Sequence, residues 1–191
     1  MPAVRRQTKG RVASLHVGSL KKAPSTSVDS FKLTFTGIVA DVHSGATRAA
    51  GPREPAFRRG TTLANLRQVS LVSTEELATI ASRMGLARLD PAWLAANIAI
   101  EGAGPITQLP RGTIIRFPSG ASLYVSDLNS PCKAAAKLIR DHARPAHKQT
   151  SSFVPHALGR RGLVAFVHSQ GPVTSGDAIE SLFAQPELPN S

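Results

Sequence analysis

Glycine and proline repeatedly divide this chain of 191 residues into short apolar segments. This pattern constrains the possible fold more than any other feature of the sequence. The sequence contains 15 glycines and 14 prolines, and only 5% of its residues are aromatic. Glycine and proline at this density favour short strands and turns. Helical periodicity appears in only two or three places. Because the helices do not alternate regularly with the strands, a parallel doubly wound sheet is disfavoured. We predict a mainly β fold, a closed or nearly closed barrel with a few short peripheral helices.

The predicted strands are short and mostly apolar. The segment 31–40 places Phe31, Leu33 and Phe35 on one face, as expected for a strand that covers a core. The segment 113–126 contains two apolar runs separated by Pro-Ser-Gly, which is typical of a hairpin. Further strands are predicted at 11–17, 69–72, 163–168 and 173–179.

Three local patterns predict helix starts. Ser73 and Glu76 form a capping box, and Gly85 is placed to end that helix. In Asp90-Pro91, a capping side chain precedes the proline that is favoured at the first helical position. In Ser130-Pro131-Cys132, the serine is predicted to cap a third helix, which puts the cysteine in its first turn.

The predicted organisation is one barrel domain over residues 11–182. A flexible basic arm is predicted at 1–10 and a frayed tail at 183–191. Two stretches are predicted to be irregular, the glycine- and proline-rich segment 41–62 and the polar loop 143–160. Loops of this length in a compact domain are usually functional or mobile.

The strong positive charge narrows the range of partners. A formal net charge of +11 is typical of proteins that bind nucleic acid. No aromatic RNA-binding motif, zinc-finger spacing or basic zipper accompanies it, so we rank nucleic acid below a small anionic ligand. No apolar run approaches the length of a membrane span, and we expect no secretory signal. One cysteine allows no internal disulfide, which favours the cytoplasm.

The single cysteine lies in the stretch Asn-Ser-Pro-Cys-Lys, at the start of a basic helix. There, free N–H groups and the positive end of the helix dipole favour a thiolate, and Lys133 adds positive charge. The thiolate is the form of cysteine that attacks substrates or binds metals. The competing interpretation is that Cys132 is a small buried apolar side chain, as most free cysteines are.

Several polar residues near the predicted strands are candidates for the same site. Asp41 and His43 are two apart, so on a strand they would share a face and could orient a ligand or each other. The other candidates are Arg67, Gln68, Ser70, Asn97, Arg160 and Arg161. Each also has an ordinary structural explanation, as a turn residue or a solvated loop charge, and the sequence leaves both interpretations open.

Taken in order, seven segments resemble the MOSC domain family, which is named for the C-terminal domain of molybdenum cofactor sulfurases. The segments are GRVASLHVG (10–18), GIVADVHSG (37–45), RQVSLVSTEEL (67–77), LAANIAIEG (94–102), RGTIIRFPSGASLYVS (111–126), PC (131–132) and RRGLVAFVHSQGPVTSGDAI (160–179). Each is short, but together they keep the family's order between residues 10 and 180.

The resemblance implies a β-barrel and gives Cys132 the place of the family's central cysteine. In relatives, that residue is proposed to carry sulfur as a persulfide or to bind the molybdenum of a pterin cofactor. Cys132 is therefore the expected catalytic residue and metal ligand. The resemblance also implies that an anionic cofactor contacts Arg67, Arg160 and Arg161. The residues expected to line the same pocket are Asp41, His43, Gln68, Ser70 and Asn97.

Two features depart from the family pattern. The family's Gly-Asp pair is Ala40-Asp41 here, and the segment 46–60 is long and carries several arginines. The sequence shows no flavin motif, iron–sulfur motif or pyridoxal-phosphate domain. We therefore expect an external reductase or a cysteine desulfurase as the partner.

These observations lead to three functional hypotheses. The first is a stand-alone MOSC protein that binds molybdenum cofactor through Cys132, for which the resemblance implies reduction of N-hydroxylated compounds with an external electron donor. The alternative is a persulfide carrier that delivers sulfur for metal–sulfur cofactor assembly. Charge-driven nucleic-acid binding ranks third.

Overall fold

The computed structural model describes residues 4–20, 23–143 and 153–184. In these ranges the chain forms thirteen strands and three short α-helices. The strands are β1 (Val4–Val17), β2 (Thr26–Val28), β3 (Ser30–Thr34), β4 (Gly37–Ile38), β5 (Thr47–Ala49), β6 (Thr62–Ala64), β7 (Val69–Ser73), β8 (Ile98–Glu101), β9 (Ile114–Arg116), β10 (Ser122–Leu128), β11 (Leu163–Ser169), β12 (Gly171–Thr174) and β13 (Ala178–Ala184). The helices are α1 (Thr74–Arg83), α2 (Lys133–His142) and α3 (Phe153–Ala157), with 3-10 turns at Pro91–Leu94 and Ile106–Gln108. None of the described helices has the length and apolar character needed to cross a membrane.

Seven of these strands close into a barrel. Their order is β1-β8-β7-β11-β10-β9-β13, and β13 returns to pair with β1. Neighbouring strands in the ring are antiparallel except for β7 and β8, which run parallel. The predicted mainly β barrel with short peripheral helices is confirmed.

The long strand β1 closes the ring because it pairs with β13 and β8 in succession. Residues 4–11 lie antiparallel to β13, and residues 11–15 pair with β8 across a register shift. The strand therefore begins at Val4, and the flexible arm predicted at 1–10 is corrected for residues 4–10, which pair with β13. Of the predicted tail, residues 183–184 belong to β13, and the remainder lies outside the described residues.

Alternate strand positions face two separate apolar clusters. Leu71 of β7 and Ile98 and Ile100 of β8 are fully buried in the barrel interior. Their neighbours Val72 and Ala99 face outward and pack with the helices. Since helices cover the outer face of this parallel pair, both of its faces are apolar.

Two of the three predicted helix starts, those at Ser73 and Asp90, and the predicted hairpin are confirmed. Ser73 caps α1 by accepting a hydrogen bond from the Glu76 N–H at 3.2 Å, and Gly85 follows the helix with a φ of +67°. Asp90 caps the first 3-10 turn by accepting a hydrogen bond from the Ala92 N–H at 3.0 Å. The antiparallel pair β9–β10 forms the predicted hairpin.

The segment 31–40 is interrupted where one strand was predicted. β3 ends at Thr34, and β4 begins at Gly37 after a turn. Phe31 and Leu33 are buried, but Phe35 lies in the turn and is 60% exposed. The prediction that Phe35 shares the buried face is wrong, because the turn ends the alternation of faces before that residue.

The irregular segment 41–62 contains part of a small hairpin. β5 pairs with β6, and among the described strands neither pairs with any other. This β5–β6 hairpin therefore stands apart from the barrel ring, and its tip is formed by residues 50–61.

Candidate functional site

A cavity of about 350 Å³ lies between one end of the barrel and α2. Its wall includes Gly18 after β1, Asn129 after β10 and Val164 in β11. Six of the predicted site residues line it, namely His43, Arg67, Ser70, Asn97, Cys132 and Arg161. Closure of the barrel is what brings these distant parts of the sequence together.

Cys132 is the N-cap residue of α2 and is partly exposed. Its backbone is extended, with a φ of −139° and a ψ of 160°, so the helix begins at Lys133. The cap predicted at Ser130 is therefore wrong, because the extended Cys132 backbone excludes Ser130 and Pro131 from the helix. The Cys132 side chain accepts no capping hydrogen bond from the described helix. Its sulfur stays available to a ligand at the positive end of the helix dipole.

Three arginines line the cavity together with the cysteine, Arg53, Arg67 and Arg161. None forms an ion pair with a carboxylate among the residues that the structure describes. Arg67 Nη2 donates a hydrogen bond to Asn129 Oδ1 at 3.3 Å. Burial lowers the pKa of Arg67, and repulsion from Arg53 and Arg48 lowers it further. Unpaired cations that repel one another favour an anionic ligand among them.

Arg161 is the most deeply buried of the three, with 6% of its surface exposed. Its Nη2 donates to the Leu94 carbonyl at 2.6 Å, and its Nη1 lies 3.5 Å from Ser70 Oγ. Its Nε has no hydrogen-bond partner in the described part of the chain. Burial lowers the pKa of Arg161 to about 10, an effect that negative charge on Cys132 opposes and the other two arginines reinforce. Arg161 therefore stays charged at neutral pH.

The carboxylate of Asp41 is completely buried and connects three chain segments behind the cavity wall. Its Oδ2 accepts hydrogen bonds from the Gly18 N–H at 2.7 Å and from Asn97 Nδ2 at 2.8 Å. Its Oδ1 accepts from the His43 N–H at 2.8 Å and lies 3.1 Å from His43 Nδ1. Burial opposes ionisation, but the hydrogen bonds outweigh it and lower the pKa of Asp41. His43, whose side chain is 44% exposed, is thereby oriented where it lines the cavity.

Replacing Asp41 with asparagine should destabilise the fold by about 2 kcal/mol at neutral pH, because an amide NH₂ would face donors that the carboxylate now accepts. Since the folded-state pKa of Asp41 lies below its ordinary value, ionised Asp41 stabilises the wild type above about pH 4. That contribution is lost as the pH falls through the folded-state pKa. The difference in free energy of unfolding between wild type and D41N should therefore shrink at low pH. Urea unfolding at pH values of about 6 and 3 measures it, and a constant or growing difference would contradict the role of Asp41.

Three predicted site residues do not line the cavity, Asp41 behind its wall and two others that lie elsewhere. Gln68 is buried and ties chain segments together, donating to the Phe35 carbonyl at 2.9 Å and accepting from the Val167 N–H at 2.9 Å. Arg160 lines a separate cavity that also includes Glu76. Gln68 and Arg160 therefore do not line the cavity that contains Cys132, although their sequence neighbours Arg67 and Arg161 do.

The cavity residues that sequence reasoning missed include Arg53, Trp93 and Asn129. Arg53 belongs to the arginine-bearing segment 46–60, whose composition was the available signal. Asn129 precedes Ser-Pro-Cys and donates a hydrogen bond to Ser70 Oγ at 3.0 Å. Only its closeness to the cysteine in the sequence could have suggested it. No sequence pattern marks Trp93.

The sequence model of the MOSC domain family matches residues 58–180. This chain belongs to the MOSC domain family. The matched range includes Arg67, Cys132 and Arg161, whereas Asp41 and His43 precede it.

This MOSC chain is similar to YuaD of Bacillus subtilis (strain 168), a protein whose name makes it a candidate for metal–sulfur cluster biosynthesis. The two are 41% identical over 170 residues, which cover 89% of this chain and 88% of YuaD. The crystal structure of YuaD matches with a TM-score of 0.89 at 39% identity and covers 94% of this chain and 99% of that chain. The crystal structure of YiiM from Escherichia coli has a TM-score of 0.57 at 18% identity and covers 92% of this chain and 71% of that chain. At that identity the likeness concerns the fold alone.

Proposed function

We propose that this MOSC protein binds molybdenum cofactor in the cavity, with the Cys132 sulfur as a ligand to the metal. The observation that supports this most strongly is that the single thiol shares the cavity with Arg53, Arg67 and Arg161, which lack carboxylate partners among the described residues. Guanidinium groups bind phosphate through charge-assisted hydrogen bonds. A thiolate is a soft ligand that suits a sulfur-rich metal centre.

The donor set and shape of the cavity fit this cofactor. Arg161 Nε is a buried donor without a partner in the described part of the chain. The volume of about 350 Å³ falls in the range of small-ligand sites. Leu20, Trp93 and Leu138 give the cavity an apolar wall that suits a ring system. When bound, the cofactor would supply a molybdenum centre able to exchange electrons with a substrate.

The residues of this chain would share the remaining tasks. Arg67 and Arg161 would bind the anionic end of the ligand. They would use the N–H groups that do not already donate to Asn129 and Leu94. His43, oriented by Asp41, would take up or release a proton at Nε2. The apolar wall that includes Trp93 would limit the access of water to the site.

Reduction of N-hydroxylated compounds is the reaction that we propose for the loaded protein. Converting an N-hydroxyl group to an amine consumes two electrons and two protons and releases water. The electrons would come from an external reductase, and His43, which lines the cavity, would deliver a proton.

The second candidate function is that of a persulfide carrier. The observation that favours it is the extensive similarity to YuaD, whose name refers to metal–sulfur cluster biosynthesis. In this role the Cys132 thiolate, which is partly exposed and lies among cationic groups, would attack the outer sulfur of a persulfide on a cysteine desulfurase, and the desulfurase thiolate would leave. The resulting persulfide would then pass that sulfur to an acceptor.

Metal and pterin analysis tests the first proposal. Protein produced in a host that synthesises the cofactor should retain near-stoichiometric molybdenum together with a fluorescent oxidised pterin. Arg67→Gln should lower both by roughly tenfold, the size expected for a charge-assisted contact to phosphate. The control Arg59→Gln makes the same change of charge at an exposed residue outside the cavity and should retain wild-type levels. Wild-type protein without molybdenum, from cells in which a known molybdenum enzyme is loaded, would contradict the proposal.

A further inference from the structure

Arg53 reaches the cavity from outside the barrel. It lies in the tip of the β5–β6 hairpin and lines the cavity beside Cys132. Its Nη2 donates to the carbonyl oxygen of Ser130 at 3.4 Å, a long hydrogen bond that leaves its other donors for a ligand. The hairpin therefore places a guanidinium group next to the segment that leads into α2.

The neighbouring carboxylate does not neutralise Arg53 because other groups already engage it. Glu54 Oε1 accepts a hydrogen bond from Arg48 Nη2 at 2.5 Å, and its Oε2 accepts from the Gly51 N–H at 2.9 Å. These bonds lower the pKa of Glu54 to about 2, with the bond from Arg48 as the largest cause. The Arg48–Glu54 pair thus fastens the tip of the hairpin to its first strand, which fixes the position from which Arg53 extends.

The positive charge of Arg53 also acts on the two other cavity arginines. After burial, it is the largest cause that lowers the pKa of Arg67, and it lowers the pKa of Arg161 as well. The three guanidinium groups therefore repel one another, and at Arg67 the carboxylates of Asp127 and Glu54 offset this repulsion only in part. An oxyanion with two negative charges would relieve this repulsion more than one with a single charge.

We propose that Arg53 is a specificity-determining residue that completes a three-arginine site for a doubly charged oxyanion such as a phosphate monoester. The Arg48–Glu54 pair contributes indirectly, because it holds Arg53 in position. This inference rests on the proposed function, because it takes the cavity to be the binding site for the anionic end of the ligand.

The test is a titration with inorganic phosphate, followed by tryptophan fluorescence at constant ionic strength. Trp93 is the single tryptophan of the chain and lines the cavity, so its emission reports on this site. Arg53→Gln should weaken phosphate binding by roughly five- to tenfold, the effect of one charge-assisted contact at an exposed position. The matched control Arg58→Gln removes the same charge from an exposed residue of the same tip and should stay within about twofold of wild type.

The double variant R48Q/E54Q separates positioning from overall charge. It leaves the net charge of the protein unchanged but removes the pair that fastens the hairpin tip. We expect it to weaken phosphate binding about as much as R53Q, and to add little when combined with R53Q. Wild-type affinity in R48Q/E54Q would overturn the positioning role.

The outcomes distinguish this inference from the function on which it rests. If Arg67→Gln weakens phosphate binding but Arg53→Gln does not, the three-arginine site is overturned and the anion-binding cavity stands. If R53Q and R58Q weaken binding equally, only general electrostatics is at work, and the inference is again overturned. If wild type binds no phosphate, or R67Q binds it like wild type, both the inference and the proposed function fail. Urea unfolding confirms that each variant is folded.

Discussion

Replacing Cys132 with serine is expected to abolish molybdenum retention and leave the barrel folded. Serine preserves the shape of the side chain, but its hydroxyl is a hard ligand that stays protonated at neutral pH. Cys132 is only partly buried against the apolar cluster beneath the helices and makes no capping hydrogen bond with the described helix, so we expect the fold to depend little on its sulfur. Since serine is a favoured N-cap residue, the free energy of unfolding should stay within about 1 kcal/mol of wild type or rise. Elemental analysis beside urea unfolding measures both effects.

The control for this experiment is Ser130→Ala, which changes an exposed side chain two residues away and should retain molybdenum. Molybdenum bound to C132S at the wild-type level would contradict the assignment of Cys132 as a metal ligand. The same variant tests the persulfide carrier by mass spectrometry after incubation with a cysteine desulfurase and cysteine. The carrier hypothesis predicts one added sulfur atom on wild type and none on C132S.

Replacing Gly162 with alanine is expected to destabilise the protein by at least about 3 kcal/mol, through backbone strain and overpacking together. Gly162 has a φ of +108°, a region that residues with a side chain rarely adopt. A Cβ at this position would lie 2.0 Å from the Leu71 carbonyl oxygen and 3.1 Å from Val72 Cγ1. The clash involves the backbone of β7, which cannot move without disturbing its pairing with β11. Urea unfolding should show the loss, with a decrease in soluble expression.

Gly159→Ala is a matched control for the backbone conformation. Gly159 also has a positive φ, +71°, but a Cβ there would meet nothing within 4 Å. Its replacement should cost only about 1 kcal/mol, the penalty for a left-handed residue with a side chain. The difference between the two variants isolates the clash with β7. If G162A were as stable as G159A, the close approach of the two chain segments would not be a constraint.

Short-range features of this fold are predictable because their causes lie within one turn of the chain. Ser73 and Asp90 accept hydrogen bonds from N–H groups two or three residues away, so their sequence context is sufficient to identify them as caps. The hairpin β9–β10 follows from a Pro-Ser-Gly turn for the same reason. The barrel itself was predicted from the density of strand breakers and from the resemblance to the MOSC family.

Ala40 is a position at which this chain departs from the family pattern, and the structure gives that departure a physical meaning. The family places glycine before the aspartate, and in this structure Ala40 has a φ of +68°. A positive φ is a conformation in which glycine carries no steric penalty, whereas alanine does. The backbone turn that presents Asp41 to Gly18 and Asn97 therefore contains an alanine in a strained conformation.

The sequence by itself determined the strand-rich architecture and the helix caps at Ser73 and Asp90, and it made the single cysteine a candidate site residue. Only the tertiary structure decided which charged residues accompany that cysteine. Arg160 and Arg161 are adjacent and chemically identical, yet Arg161 lines the cavity with Cys132 and Arg160 lies beside Glu76 in another. Arg53 joins the site from a hairpin that no local pattern connects to it. The physical reason is that local signals depend on contacts within a few residues, whereas the composition of the cavity depends on barrel closure and on the direction in which each side chain then projects.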